Sequence, residues 1–145
     1  MSMIVNRRDL DFVLYETLDL ERILESDRYA DYDRESLDAM MDLCQTIAED
    51  QFLPCAAKLD ANEPQFVDGR VETISELKEA IGAYQEAGLC ASAYDLDVGG
   101  MQLPWMMDQA LNGMFVCANN PAHNNKNTNN DNNNNNNNKN KMLTM

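Results

Sequence analysis

Between Leu37 and Leu59 the apolar residues fall three or four apart: Leu37, Met40, Met41, Cys44, Ile47, Ala48, Phe52, Cys55 and Leu59. That period lines them along one side of an α-helix, and so long a stripe demands other apolar surface to lie against. Pro54 falls inside the stripe. A proline there removes one backbone donor and crowds the carbonyl of Asp50, so the helix that opens after Asp33 is predicted to kink or break near residue 54.

The flanking segments follow the same logic. Residues 9–25 place Leu10, Val13, Leu14, Leu18, Ile23 and Leu24 at mostly helical spacings, which predicts two short helices, the second capped by Asp19. Residues 26–32 are polar with Tyr29 and Tyr32, as suits a linking loop. After Pro64, an Asp68-Gly69 pair between Phe66-Val67 and Val71 predicts a small hairpin. Thr73-Ile74-Ser75-Glu76 matches a capping box, and Leu77, Ile81 and Tyr84 continue its helix to a left-handed stop at Gly88. A glycine- and aspartate-rich loop then leads to Pro104, well placed to start a last helix marked by Met107, Ala110, Leu111, Met114, Phe115 and Ala118. Asp108 is the one charge in that helix and is expected on its outer side, with the helix buried among others. No strand long enough for a sheet is evident, so the fold class is mainly α.

Composition changes abruptly near Asn119, where the chain enters an asparagine tract that ends only at Lys139. Such a tract has nothing apolar to bury and is predicted to be disordered, with a capacity to aggregate through stacked amides. Three lysines and one aspartate lie beyond Ala118, so residues 1–118 keep 8 of the 11 basic and 24 of the 25 acidic residues, a net charge of −16. A surface of that sign repels phosphate backbones and anionic lipid, and Arg7-Arg8 and Arg70 are scattered rather than clustered, which argues against nucleic acid as a partner. No run approaches the roughly eighteen apolar residues that cross a bilayer, and residues 1–8 lack the apolar core of a signal peptide. The expectation is a soluble, cytoplasmic protein without a membrane span.

Little local chemistry can be assembled. Cys44, Cys55, Cys90 and Cys117 have no Cys-x-x-Cys spacing and the lone His123 stands in the asparagine tail, so no zinc set forms. Cys44 and Cys55 share a helix face but are roughly 16 Å apart at 1.5 Å rise per residue, too far for a disulfide. Asp95-Leu96-Asp97-Val98-Gly99-Gly100 resembles the start of a calcium loop, yet its fifth position is Gly99 and its twelfth is Met106, which removes two of the ligands such a loop needs. Gly99-Gly100 lacks the strand, third glycine and lysine of a phosphate cradle, leaving a tight connection between helices as the reading. The acidic pairs Glu49-Asp50 and Asp95/Asp97 have no evident cleft or nucleophile beside them.

Several runs, in order, resemble the N-terminal region of the acyl-CoA dehydrogenases, in particular a branch with a short extra N-terminal segment. They are Leu10-Asp11-Phe12-Val13-Leu14-Tyr15-Glu16-Thr17-Leu18; the helix end Ala48-Glu49-Asp50-Gln51-Phe52-Leu53-Pro54; the turn Val67-Asp68-Gly69-Arg70-Val71; and Tyr84 to Leu89 followed by Asp95 to Pro104. In the last run the family tends to show proline and glutamate before the paired glycines and then a third glycine before Leu-Pro; here Leu96, Asp97 and Gln102 stand at those positions. Met114 to Asn119 also matches, with Gly113 in place of an acidic residue. The resemblance implies a short helical extension over 1–35, a partial acyl-CoA dehydrogenase N-terminal-like helical domain over 36–119, and an Asn-rich tail over 120–145, the family pattern being cut after about Asn119. It further implies that the parent enzyme binds FAD and oxidises acyl-CoA thioesters between Cα and Cβ, handing electrons to an electron-transfer acceptor. In that family the flavin clamp and the carboxylate base lie in later domains, so no catalytic, cofactor-binding or metal residue is assigned here and no FAD is expected on this chain alone. The remaining domains of the parent enzyme are the expected partners, with the apolar face of Trp105 to Ala118 as domain interface or pocket lining. The alternative is an acidic helical interaction module without catalysis.

Overall fold

A computed structural model describes Ser2 and residues 4–119; the asparagine tail, whose predicted disorder concerns residues 120–145, lies outside the described residues. The architecture is mainly helical, with a single two-stranded hairpin among the described residues. The N-terminal region comprises α1 (Arg7–Asp11), a π-helical turn over Phe12–Thr17 and α2 (Leu20–Leu24). Asp19 precedes α2 as expected, but in left-handed conformation (φ 52°) and with no capping bond from its side chain. It makes the turn between helices rather than capping the second. Tyr15, which the π-helical turn presents, donates from its hydroxyl to Asp38, and Arg7 pairs with Asp42 at 2.8 Å, so this region lies along the next helix.

That helix, α3 (Arg34–Ile47), opens on a reciprocal capping box: Asp33 accepts from the Ser36 amide at 2.8 Å, and the Ser36 hydroxyl accepts from the Asp33 amide at 3.0 Å. Its stripe is buried at Leu37, Met41 and Cys44, and continues through Ala48, Phe52, Cys55 and Leu59. The expected disturbance at Pro54 takes the form of a π-helical turn over Ala48–Phe52, closed by Leu53 N–H donating to Ala48 O at 2.9 Å. The proline removes the donor that would satisfy Asp50, and the backbone slips to a wider repeat before α4 (Ala56–Ala61) resumes. The slip leaves the Phe52 carbonyl without an amide from Ala56, which turns to Leu53 O instead. Two side chains donate to Phe52 O in its place, the Cys55 thiol at 3.2 Å and Asn119 Nδ2 at 3.1 Å, the latter from the far end of α6 (Trp105–Ala118).

The hairpin pairs β1 (Gln65–Val67) with β2 (Arg70–Glu72), antiparallel, across Asp68 and Gly69 at φ 50° and 78°. Two central residues in the left-handed region are what a tight two-residue hairpin needs. α5 (Ser75–Glu86) follows and ends at Gly88, φ 75°, as expected. Its start is not the predicted capping box. Ile74 is the residue before the helix, no side chain caps it, and the Thr73 hydroxyl is buried without a hydrogen-bond partner. Glu76, the last residue of the expected box, is instead engaged by Lys58 of α4.

The core forms where α3 with its π-turn, α5 and α6 meet. Phe52, Tyr84 and Phe115, one from each, stack edge to face with centroids 5.0 Å apart for Phe52–Phe115, 4.9 Å for Tyr84–Phe115 and 6.4 Å for Phe52–Tyr84. Leu37, Met41, Leu77, Met107, Leu111 and Met114 close around them.

Two measurements follow. Phe52→Ala should cost about 3–5 kcal/mol of unfolding free energy in urea titration, because it empties the meeting point of three helices. The Lys58 ammonium beside Glu76 holds that carboxyl down at about 2, so its contribution to folding is complete above the ordinary carboxylate range and is lost as pH falls toward 2. NMR titration should show the Glu76 midpoint returning upward in Lys58→Met, and the effect weakening with salt because the pair is exposed.

Candidate functional site

The connection from α5 to α6, predicted as a glycine- and aspartate-rich loop, is folded tightly on itself. Met101 N–H donates to Ala91 O at 3.2 Å, Gln102 N–H to Tyr94 O at 2.8 Å and Leu103 N–H to Ser92 O at 2.8 Å, so residues 91–94 and 101–103 run side by side. Val98 and Gly100 amides both return to Asp95 O. The loop is also tied to the N-terminal region: the Tyr32 hydroxyl donates to Met101 O, Arg28 pairs with Asp95, and Gln102 Nε2 donates to the Arg28 carbonyl at 2.6 Å.

Each glycine-type position in this loop has a backbone reason. Gly99 lies at φ 85°, and a Cβ on Gly100 would stand 2.1 Å from the Tyr94 carbonyl oxygen. Gln102 also occupies the left-handed region, at φ 56°, a conformation that costs a non-glycine residue about 1–2 kcal/mol. Its side-chain bond to Arg28 is what this chain gains from a glutamine there.

Beneath the loop lies a buried polar cluster. Asp108, expected on the outer side of α6, is only 6% exposed and faces the core. Its carboxylate accepts from the Ser92 hydroxyl, from Gln109 Nε2 at 3.0 Å and from Asn112 Nδ2 at 3.1 Å. The Tyr84 hydroxyl stands 3.1 Å from both Asn112 Oδ1 and the Leu89 carbonyl, and burial pushes its phenol well above the ordinary range. A carboxylate surrounded by neutral donors this way locks the loop to the first turns of α6. The outer side of α6 is formed by Trp105, Gln109, Gly113, Val116 and Cys117, all uncharged and exposed.

On this braced frame the loop displays large apolar side chains to solvent: Tyr94 at 65% exposure, Leu96 at 54%, Val98 at 70% and, where α6 begins, Trp105 at 68%. The Gln102–Tyr94 pairing brings the loop tip and the start of α6 to the same end of the domain. Clustered exposed apolar side chains of this kind mark docking surfaces, and tyrosine and tryptophan are the residues that most often carry interface energy. Sequence reasoning passed over Tyr94, Leu96 and Val98; the signal was apolar residues alternating with Asp95 and Asp97 in a segment too short to bury them.

The other sequence candidates do not converge. Cys44 and Cys55 are buried, Cys90 half-buried and Cys117 exposed, and no disulfide joins them. Burial pushes the Cys55 thiol up, against the opposing bond from Asn119. Among the described residues no group of three or more His, Cys, Asp or Glu side chains is placed to hold a metal ion, and Asp95 of the suspected calcium loop is paired with Arg28. Glu49 lies on the π-turn and its Oε1 accepts from Gln45, whereas Asp95 and Asp97 belong to the α5–α6 loop. No described helix is long and apolar enough to cross a membrane. No family model, curated protein or solved structure matches this chain.

Gly100→Ala tests the loop. The added methyl meets backbone rather than a movable side chain, so the backbone bonds between 91–94 and 101–103 should open. Amide exchange at Gln102 and Leu103 should accelerate by at least about tenfold while the α3 core amides keep their protection.

Proposed function

We propose that this chain is a helical docking domain of the kind that begins a flavin-dependent acyl-CoA dehydrogenase, supplying framework rather than chemistry. The observation that carries this reading is the backbone of the Asp95–Pro104 loop. The resemblance rests most heavily on that run, where the family has glycine at three positions. Here those positions are one left-handed glycine, one glycine with no space for a Cβ, and Gln102 in the same left-handed region. Glycine at those positions in the family would suit the conformation this chain adopts, and that agreement supports kinship in the one segment where composition alone says least.

On this reading FAD, the carboxylate base and the acyl-CoA thioester belong to the domains that this one would brace. The apolar end formed by Tyr94, Leu96, Val98 and Trp105 is the contact with them. Its rigidity lowers the ordering cost of docking, since the loop is already held by backbone bonds before a partner arrives. An acidic interaction module that captures an unrelated partner is the second reading, favoured by the same exposed cluster standing on a surface of net charge −16.

The two separate in one experiment. The chain is supplied in trans to an acyl-CoA dehydrogenase polypeptide from which the helical front has been deleted. Restored FAD retention and acyl-CoA-dependent reduction of an electron acceptor are expected, and Val98→Asp with Trp105→Asp should weaken the restoration at least about tenfold without changing helix content. FAD bound by the chain alone would overturn the framework role; failure to restore, with capture of a different partner through the same four side chains, would leave the module reading.

A further inference from the structure

The hairpin poses a separate question. All six residues of β1 and β2 are exposed, with Phe66 at 77% and Val71 at 56%, and the close contacts of each strand are chiefly with the other. An isolated two-stranded hairpin is marginal in water, and both of its outer edges carry unpaired backbone groups that can accept another strand. The register sets Phe66 opposite Val71 on one face, with Gln65 opposite Glu72 and Val67 opposite Arg70 on the other.

β2 reads as its own complement. Two copies of Arg70-Val71-Glu72 laid antiparallel about a two-fold axis through Val71 put Arg70 of each copy opposite Glu72 of the other, so both cross-strand positions become opposite-charge pairs. The same pairing joins the two Phe66/Val71 faces into one apolar strip across four strands. Pairing through β1 has no such match, since Gln65 would face Val67. A chain whose residues 1–118 carry a net charge of −16 repels its own copies over most of its surface, and β2 is a place where contact brings arginine to glutamate instead. Arg70 and Glu72 take part in none of the ion pairs of the described residues, so both are available.

We propose that this chain self-associates by β2-to-β2 pairing of its exposed hairpin, forming a four-stranded antiparallel sheet across a two-fold axis at Val71, with reciprocal Arg70–Glu72 contacts. The surface is distinct from the apolar α5–α6 loop and stands whether or not the enzyme reading holds. So small an interface makes a weak, transient dimer, with dissociation in the high micromolar to millimolar range.

The test is sedimentation equilibrium of the full chain up to about 1 mM, with amide NMR on dilution. Wild type should associate, with concentration-dependent amide shifts at Arg70 to Thr73. Arg70→Glu and Glu72→Arg each turn two attractive contacts into two repulsive ones and should each weaken association by about tenfold or more. An equimolar mixture of the two variants restores opposite charges at both positions and should associate again, as should the double swap. Cross-strand NOEs between Phe66 and Val71 in the same samples check that each hairpin remains formed. Three outcomes overturn the proposal: a monomeric wild type over the whole range, association that survives either single reversal, or single variants with intact hairpins that stay apart when mixed.

Discussion

The edge-to-face cluster of Phe52, Tyr84 and Phe115 is the contact on which the other parts of this domain rest. Each ring arrives from a different element, and each packs edge to face against the other two. Aromatic pairs in this geometry add roughly 0.5–1.5 kcal/mol to the burial of their surfaces, so the cluster is both the largest apolar mass in the core and its most directional element. Phe52 sits in the π-turn that Pro54 imposes, so the irregular stretch of the α3 stripe is also where the helices converge. A straight helix through residue 54 would carry Cys55 and Leu59 on a different path. The proline thus shapes the core by changing the direction of the chain just after its largest side chain has been delivered.

From that core the domain builds outward to an end that is polar inside and apolar outside. Asp108 and Ser92 are buried beneath the α5–α6 loop, whereas Tyr94, Leu96, Val98 and Trp105 face solvent. This inversion has a physical sense. Buried, fully bonded polar groups fix geometry because their partners are few and directional. Apolar side chains outside provide contact area without demanding any one partner atom. The combination gives a surface of defined shape whose energy is still to be gained from whatever it meets.

Features governed by neighbours in sequence were legible from it. The α3 stripe, the disturbance at Pro54, the Asp68-Gly69 hairpin, the stop at Gly88 and the course of α6 all follow from rules that operate over a few residues, and all are present in the structure. What escaped depends on partners distant in the chain. Thr73 has the right type and spacing for a cap, but Lys58 engages Glu76 and the helix starts one residue late. Charge alone predicts an outward Asp108, although it stands three residues before Leu111 and seven before Phe115, on the buried side; donors from Ser92, Gln109 and Asn112 make that position tolerable. Asp19 has a capping residue's chemistry and a turn residue's backbone. The exposed apolar loop was hidden for the opposite reason, since nothing local says that Leu96 and Val98 will be left uncovered.

The bond from Asn119 to the Phe52 carbonyl closes a loop of 67 residues onto the backbone oxygen that the π-turn leaves without an amide from Ala56. Closing so large a loop costs entropy that only the completed core returns. The Asn119 bond therefore ties the docking of α6 to a kink that Pro54 has already set locally. The same side chain lies 3.4 Å from Cys55 Sγ, covering a thiol that is otherwise reached only by opening the domain. Cys55 is in this way a built-in witness to the last helix: its alkylation rate measures how often α6 lifts from the kink, with no label introduced.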